Sequence, residues 1–492
     1  MAKTVLLRGG LVCDPSTRSE AVADILVDGG VITSVGPDIA APEASVVDVS
    51  GLVVGPGFVD LHSHVHSVAG QWLQALDGVT TALELEAGLT PIARAYDEAA
   101  QAGRPLNYGF SASWASARGQ ALLGLEPDAS LLTTLKLVSN PEWQRSSSPR
   151  EQAEWLMTLE AEIADGALGI GVLMGYAPRT EPAEFLALAR LAATAGVPAY
   201  THVRELAEVD PTTPIDGPEE LTIAAAETGA AMHHCHVNSS SGQHVDRVLD
   251  LIDKAQTNGA RVTVEAYPYG AGATAVGAYF LDPERLVLKG RQPSDLVLVA
   301  TGERIADADR LREVRRTDPG AECFVEFLDE RREGQLALLR RPFEFADSIV
   351  ASDAMPLIWP DGSRDTNDWP LPTGGKTHPR TAGTFTKTLR MMVRESATWS
   401  WLEAFRRCSY LPARVIEAAA PTARRKGHLG IGADADIAVL DPHTVTDTAT
   451  YLDPTRSANG VVHLLVNGTF VVRDGDLLPD ARPGRPVRGE LS

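Results

Sequence analysis

Hydrophobic and polar positions follow two different rhythms along this chain. Near the two ends, apolar residues recur at every second position in short runs. These are TVLLRGGLVCD, ADILVDGGVITSVG and SVVDVSGLVVGPG at the start, and GADADIAVLDP and GVVHLLVNGTFVVRDGDLL at the finish. Period two sends alternate side chains to opposite faces, so each run predicts a strand. The pairs Asp28-Gly29, Asn467-Gly468 and Asp474-Gly475 predict the tight turns between them, as hairpins require. Two such β-rich pieces can pair as one small domain with a central insert.

The centre has a helical rhythm broken by short apolar stretches. Alanine-rich segments such as EQAEWLMTLEAEIADG and AEFLALARLAATAG alternate with GVTTALELEAG, RPLNYGFSAS, GALGIGVLMG, VPAYTHVRE, GAAMHHCHVNSS, RVTVEAYPYG and DSIVASD. With FVDLHSH before them, these make eight candidate strands separated by helices or loops. Alternating β and α predicts a parallel sheet, and eight repeats predict a barrel. The expected fold class is α/β: a TIM-like (β/α)8 barrel over 57–426, with a small β-sandwich domain formed by 1–56 and 427–492. The charged, arginine-rich segment from Asp282 to Phe345 is expected to be helical decoration between the last two strands.

Polar residues fall at the predicted strand ends, which is where such a barrel carries its chemistry. In GFVDLHSHVH, alternation puts His62, His64 and His66 on one face, an arrangement suited to a metal ion. Strand two ends in Glu84 and Glu86, strand five in His202, strand six carries His234 and His236, and strand eight ends in Asp353. Imidazole and carboxylate ligands at an open site favour Zn²⁺, as one ion or two.

Bulk properties narrow the partners. The chain has 492 residues, 44% hydrophobic and 22% charged, ample for a large core. A formal net charge of −21 disfavours nucleic acid or an anionic membrane as partner. Cys13, Cys235, Cys323 and Cys408 are scattered without a CxxC spacing, so no disulfide framework is expected. The opening MAKTVLLRGGLVCDPST lacks an apolar leader core, and no later run approaches a membrane span, so a cytoplasmic protein is expected. Oligomeric state is left open.

The ordered set of DxHxH after PGF, THxR, a later strand-end His, YPY and SD resembles the amidohydrolase superfamily. GVTT, TAG after YPY, HPRTAGTF at 378–385, SYLPAR at 409–414 and the closing GADADIAVLDP resemble its N-acyl-D-amino-acid deacylase branch, over almost the whole chain. The resemblance implies that His62 and His64 ligate one metal, His202 and His236 a second, and that Asp353 is the strand-eight carboxylate. It implies a metal-activated water attacking an amide carbonyl, with Asp353 accepting the proton and delivering it to the leaving nitrogen.

Three departures from the branch matter. Its cysteine after GVTT is Ala87 here, and GALGIGVLMGYAP contains no lysine to bridge two metals, so Glu86, with Glu84 as second choice, is expected to take that role. Its lysine beyond the strand-six histidine is Asn238 here, while Arg380 in HPR remains for a substrate carboxylate. Arg204 could face the same carboxylate or form an ion pair with a nearby Glu, and Tyr269, preferred to Tyr267, resembles a substrate-contacting tyrosine. The loop from Asp353 to Arg380 is extended, and its Trp359 and Trp369 either cap the pocket or pack on the rim.

The expected activity is metal-dependent hydrolysis of a carbon–nitrogen amide bond in a small molecule, an N-acyl amino acid or related amide. Two alternatives keep their place: a cyclic amide or imide hydrolase or deaminase using the same residues, and a catalytically silent barrel used for binding.

Overall fold

The computed structural model describes residues 4–491. Two compact units are formed: Met1–Leu83, Glu98–Gly109 and Ile349–Val487 make one, and Glu84–Asp97, Phe110–Ser348 and Arg488–Ser492 the other.

Each of the eight runs expected to be a barrel strand contains one. They are β1 (Phe58–Asp60), β2 (Val79–Leu89), β3 (Asn107–Ser113), β4 (Ile170–Leu173), β5 (Ala199–His202), β6 (Met232–His234), β7 (Val262–Ala266) and β8 (Ile349–Val350). In one eight-stranded sheet each pairs with the next in sequence. Beyond β1 and β8, Ser63 and Ala354 form a parallel bridge, with the His64 N–H donating to the Ala354 carbonyl at 2.9 Å. This is the strand order of a (β/α)8 barrel. All eleven residues of β2 are buried, as a strand covered on both faces must be. Gly88 of that strand has φ +63° and would bring a Cβ within 2.8 Å of the Ala112 and Ser111 backbone, so this close strand crossing admits no side chain.

In the first unit, strands from near both ends of the chain, Val5 to Pro56 and Ile437 to Leu477, join one nine-stranded sheet. Val5–Asp14 pairs antiparallel with Ser19–Asp28 and parallel with Val53–Pro56, which runs antiparallel to Ile437–Leu440. Ile25, Ile32, Val54, Ile437 and Leu465 lie fully buried in its core. Asn467-Gly468 and Asp474-Gly475 turn with positive φ at both residues, as two-residue hairpins prefer. The first hairpin turns at Gly29-Gly30, one residue later than expected, because Asp28 pairs with Val31.

The second unit corrects the reading of the segment from Asp282 to Phe345. Besides helices Pro283–Leu288, Ala308–Thr317 and Glu333–Glu344, it supplies two strands, Leu296–Leu298 and Glu322–Glu326, which join Ala271–Ala275 in a three-stranded antiparallel sheet. These strands are too short, and their flanks too charged, to show a clear period of two. Among the described residues, no helix is long and apolar enough to cross a membrane.

Candidate metal centre

In the first unit, the alternation of β1 persists past its end. His62 and His64 come side by side, rings at 87° and Nε2 atoms 3.2 Å apart. His66 is half-buried. Asp353, three residues beyond β8, has φ +50°, a left-handed conformation that costs an aspartate little but is worth noting near a site. Its Oδ1 lies 3.4 Å from His62 Nε2 and 3.5 Å from His64 Nε2. Arg380, fully buried at the start of the helix Arg380–Leu389, places Nη2 2.8 Å from the same oxygen.

Below them sits Asp60, fully buried at the end of β1. Its Oδ1 accepts the backbone N–H of His62 at 3.2 Å and of Ser352 at 2.9 Å. Its Oδ2 accepts Gln74 Nε2 at 3.0 Å and the Ser352 hydroxyl. One carboxylate thus holds both His62 and the residue before Asp353. Asp60 is the first residue of the DxHxH pattern, which by itself assigns it no role.

In the second unit, Glu86, His202 and His236 form a triangle. His236 Nε2 lies 2.6 Å from Glu86 Oε1 and 3.0 Å from His202 Nδ1, and His202 Nδ1 lies 3.1 Å from Glu86 Oε1. Glu84, the second choice, instead accepts the Ala87 N–H at 3.2 Å. His236 reaches the triangle from a left-handed backbone, φ +36°, because β6 ends at His234 and a helix starts at Val237. That kink departs from the period-two alternation that a continuous strand would give His234 and His236. His234 turns to Ser240 Oγ at 3.0 Å, and burial, with help from His236 and His233, drives its pKa down to about 3. Burial also lowers the pKa of His202, against the pull of Glu86, which favours the neutral imidazole a metal needs.

The triangle fits a divalent cation. Its three ligand atoms all lie within 4.8 Å of one another. Tetrahedral zinc, with bonds of about 2.0–2.1 Å, sets its ligand atoms roughly 3.3 Å apart, and the observed edges are of that order. Two imidazoles and one carboxylate are ligands zinc accepts.

Two residues expected to bind substrate have other partners. Arg204 is buried and takes the ion-pair reading: Nε donates to Glu220 Oε2 at 2.7 Å and Nη1 to the Pro178 carbonyl at 2.8 Å. Asn238 bonds the Tyr267 backbone on both sides: its Nδ2 donates to the Tyr267 carbonyl at 3.1 Å and its Oδ1 accepts the Tyr267 N–H at 3.4 Å. It braces the loop after β6 against the end of β7. Tyr269 is buried beyond β7. Trp359 donates Nε1 to the Pro372 carbonyl at 3.1 Å, and Trp369 packs edge-on against Trp72 with centroids 5.9 Å apart, so both are packing residues.

Comparison with known proteins decides the family. The model of the amidohydrolase family matches residues 45–472. The chain belongs to the amidohydrolase family. Among amidohydrolase relatives, N-acyl-D-glutamate deacylase of Alcaligenes xylosoxydans xylosoxydans is 27% identical over 99% of this chain and 97% of its own length. D-aminoacylase of the same organism is 28% identical over 95% of this chain and 94% of its own. The crystal structure of N-acyl-D-glutamate deacylase from Bordetella bronchiseptica, complexed with zinc and a phosphonate inhibitor, aligns with a TM-score of 0.76 at 24% identity, over 99% of this chain and 100% of that one. That likeness shows that this amidohydrolase shares its fold.

Proposed function

We propose that this amidohydrolase is a zinc-dependent deacylase that releases the amino acid from an N-acyl amino acid, of the D series by analogy with the relatives above. The observation that carries the reading is the Glu86–His202–His236 triangle at the C-terminal ends of β2 and β5 and just past β6. Glu86, His202 and His236 would hold one ion, and His62, His64 and Asp353 would hold a second with its water. The chemistry zinc supplies when bound is a water pKa lowered to about 7 and a polarised carbonyl oxygen.

The chain's own residues do the rest. Asp353, pinned by Arg380 and flanked by His62 and His64, takes the proton of the attacking water and passes it to the leaving amide nitrogen. Arg380 fixes that carboxylate in place, and any grip on a substrate carboxylate must be shared with this contact. Asp60 holds His62 and Ser352 in register. Four cysteines, all buried and unbridged, fit a reducing compartment, and we infer action in the cytoplasm on a small soluble amide.

The test is a screen of N-acyl D- and L-amino acids and cyclic amides with zinc-loaded protein, scored by free amine. Asp353→Asn is expected to slow hydrolysis by about 10²–10⁴-fold while the zinc equivalent held by Glu86, His202 and His236 is retained. Turnover of cyclic amides alone, with no N-acyl amino acid cleaved, would overturn the deacylase reading.

A further inference from the structure

His202 meets Glu86 and His236 through Nδ1, whereas His236 uses Nε2. The terminal torsion of a histidine is broad and roughly two-fold, so its own rotamer preferences do not select the face that Nδ1 occupies. A half-turn of the ring would put a carbon where Nδ1 now lies. Something must hold the ring.

Three residues surround it. Gly175, after β4, lies so close that a Cβ there would be 2.5 Å from His202 Cδ2, 3.0 Å from His202 Nε2 and 2.6 Å from the Val203 carbonyl oxygen. The next residue, Tyr176, places its ring 4.7 Å from the His202 ring. Phe280, in the turn Tyr279–Leu281, lies nearly parallel to the same ring, 13° away in plane at 5.9 Å, and 5.1 Å from Tyr176. The Tyr176 hydroxyl is bonded to Thr274 Oγ1 at 2.7 Å, which anchors it to the strand Ala271–Ala275. The small sheet inserted between β7 and β8 thereby reaches the candidate centre.

We infer that Gly175, Tyr176 and Phe280 are positioning residues that cage the His202 ring and present its Nδ1 to the metal. The inference rests on the metal-centre reading above and deepens it: when an ion is bound, the His202 ring would offer it the Nδ1 lone pair, leaving the proton of the neutral imidazole to Nε2. Partners that orient a metal-bound histidine without touching the ion influence affinity by about 10–100-fold.

The experiment uses the full chain and two readouts besides activity: zinc affinity by chelator competition, and the visible absorption of the cobalt-substituted protein. His236→Ala first identifies which bound equivalent belongs to this cluster. Gly175→Ala and Phe280→Ala are each expected to weaken that equivalent by about 10–100-fold and to alter the cobalt bands, while Phe280→Tyr restores both. If Gly175→Ala fails to fold, Phe280→Ala and its rescue decide. Wild-type affinity and unaltered cobalt bands in Phe280→Ala overturn the cage. A wild-type protein that binds no zinc defeats the metal-centre reading instead, so the two failures are distinguishable.

Discussion

Asp60 offers the sharpest test of how the fold supports the site. Four donors converge on its buried carboxylate: two backbone N–H groups, from His62 and Ser352, on one oxygen, and Gln74 Nε2 with the Ser352 hydroxyl on the other. Hydrogen bonds to a charged acceptor contribute about 1.5–3 kcal/mol each, against about 0.5–1.5 for neutral ones. Asp60→Asn must keep its oxygen toward the backbone pair, which cannot turn. Its NH2 then faces Gln74, whose own Oε1 is held by Ser63 at 3.1 Å, and Ser352, whose hydroxyl can rotate to accept. Charge is lost from the whole set and one contact becomes repulsive, a cost of about 2–4 kcal/mol. Asp60→Ala strands two buried N–H groups at about 1–3 kcal/mol each and adds a cavity, so it should be worse. Urea unfolding followed by tryptophan fluorescence measures this, with buried Trp72 on the adjoining helix Val68–Leu76 as reporter. Because the carboxylate also seats His62 and the residue before Asp353, hydrolysis should fall in Asp60→Asn even where the protein remains folded. An Asp60→Ala protein that unfolds at the wild-type urea concentration would refute the reasoning.

Two further outcomes are expected. Lys426 is buried, which alone would lower its pKa, but Asp436 at 2.8 Å and Asp434 at 3.0 Å hold it above the ordinary 10.5. A raised lysine stabilises the fold fully below pH 10.5 and loses that contribution as pH climbs through the folded value. Thermal melts should therefore drop on the alkaline side, and Lys426→Met should cost about 3–5 kcal/mol at neutral pH by leaving buried Asp436 without its cation and Asp434 with Arg425 alone, at 3.3 Å. Arg204→Met, breaking the buried pair with Glu220, should cost a similar 3–5 kcal/mol or so, yet leave the ratio of KM values for acidic and neutral N-acyl amino acids unchanged. A selective rise in KM would return Arg204 to the substrate.

Much of this molecule is legible in its sequence because the signals are local and repeated. Short apolar runs between helical segments locate all eight barrel strands, period-two runs locate the strands near the two ends, and Asn-Gly and Asp-Gly pairs mark turns whose positive φ needs such residues. Alternation past β1 places His62 beside His64. What was hidden depends on long-range geometry. The choice between Glu84 and Glu86 turns on which carboxylate meets His202, 116 residues away. His236 adopts a left-handed backbone that alternation does not foresee, so His234 departs from its expected face. Arg204 and Asn238 occupy strand-end slots where a ligand role is natural, and their contacts with Glu220 and the Tyr267 backbone are long-range in sequence and carry no local signal. The sheet inside the segment from Asp282 to Phe345 escaped because three- and five-residue strands between charged helices carry too little pattern.

The most direct measurement is zinc stoichiometry by elemental mass spectrometry, on wild type and on His236→Ala, after equilibration with excess zinc and removal of free ion. Side chains gathered from β2, β5 and the turn after β6 are held to grip a cation jointly; removal of the His236 imidazole should therefore cost the protein one equivalent and its amide hydrolysis together. Equal zinc content in the two proteins, or hydrolysis that survives the loss, would contradict that account.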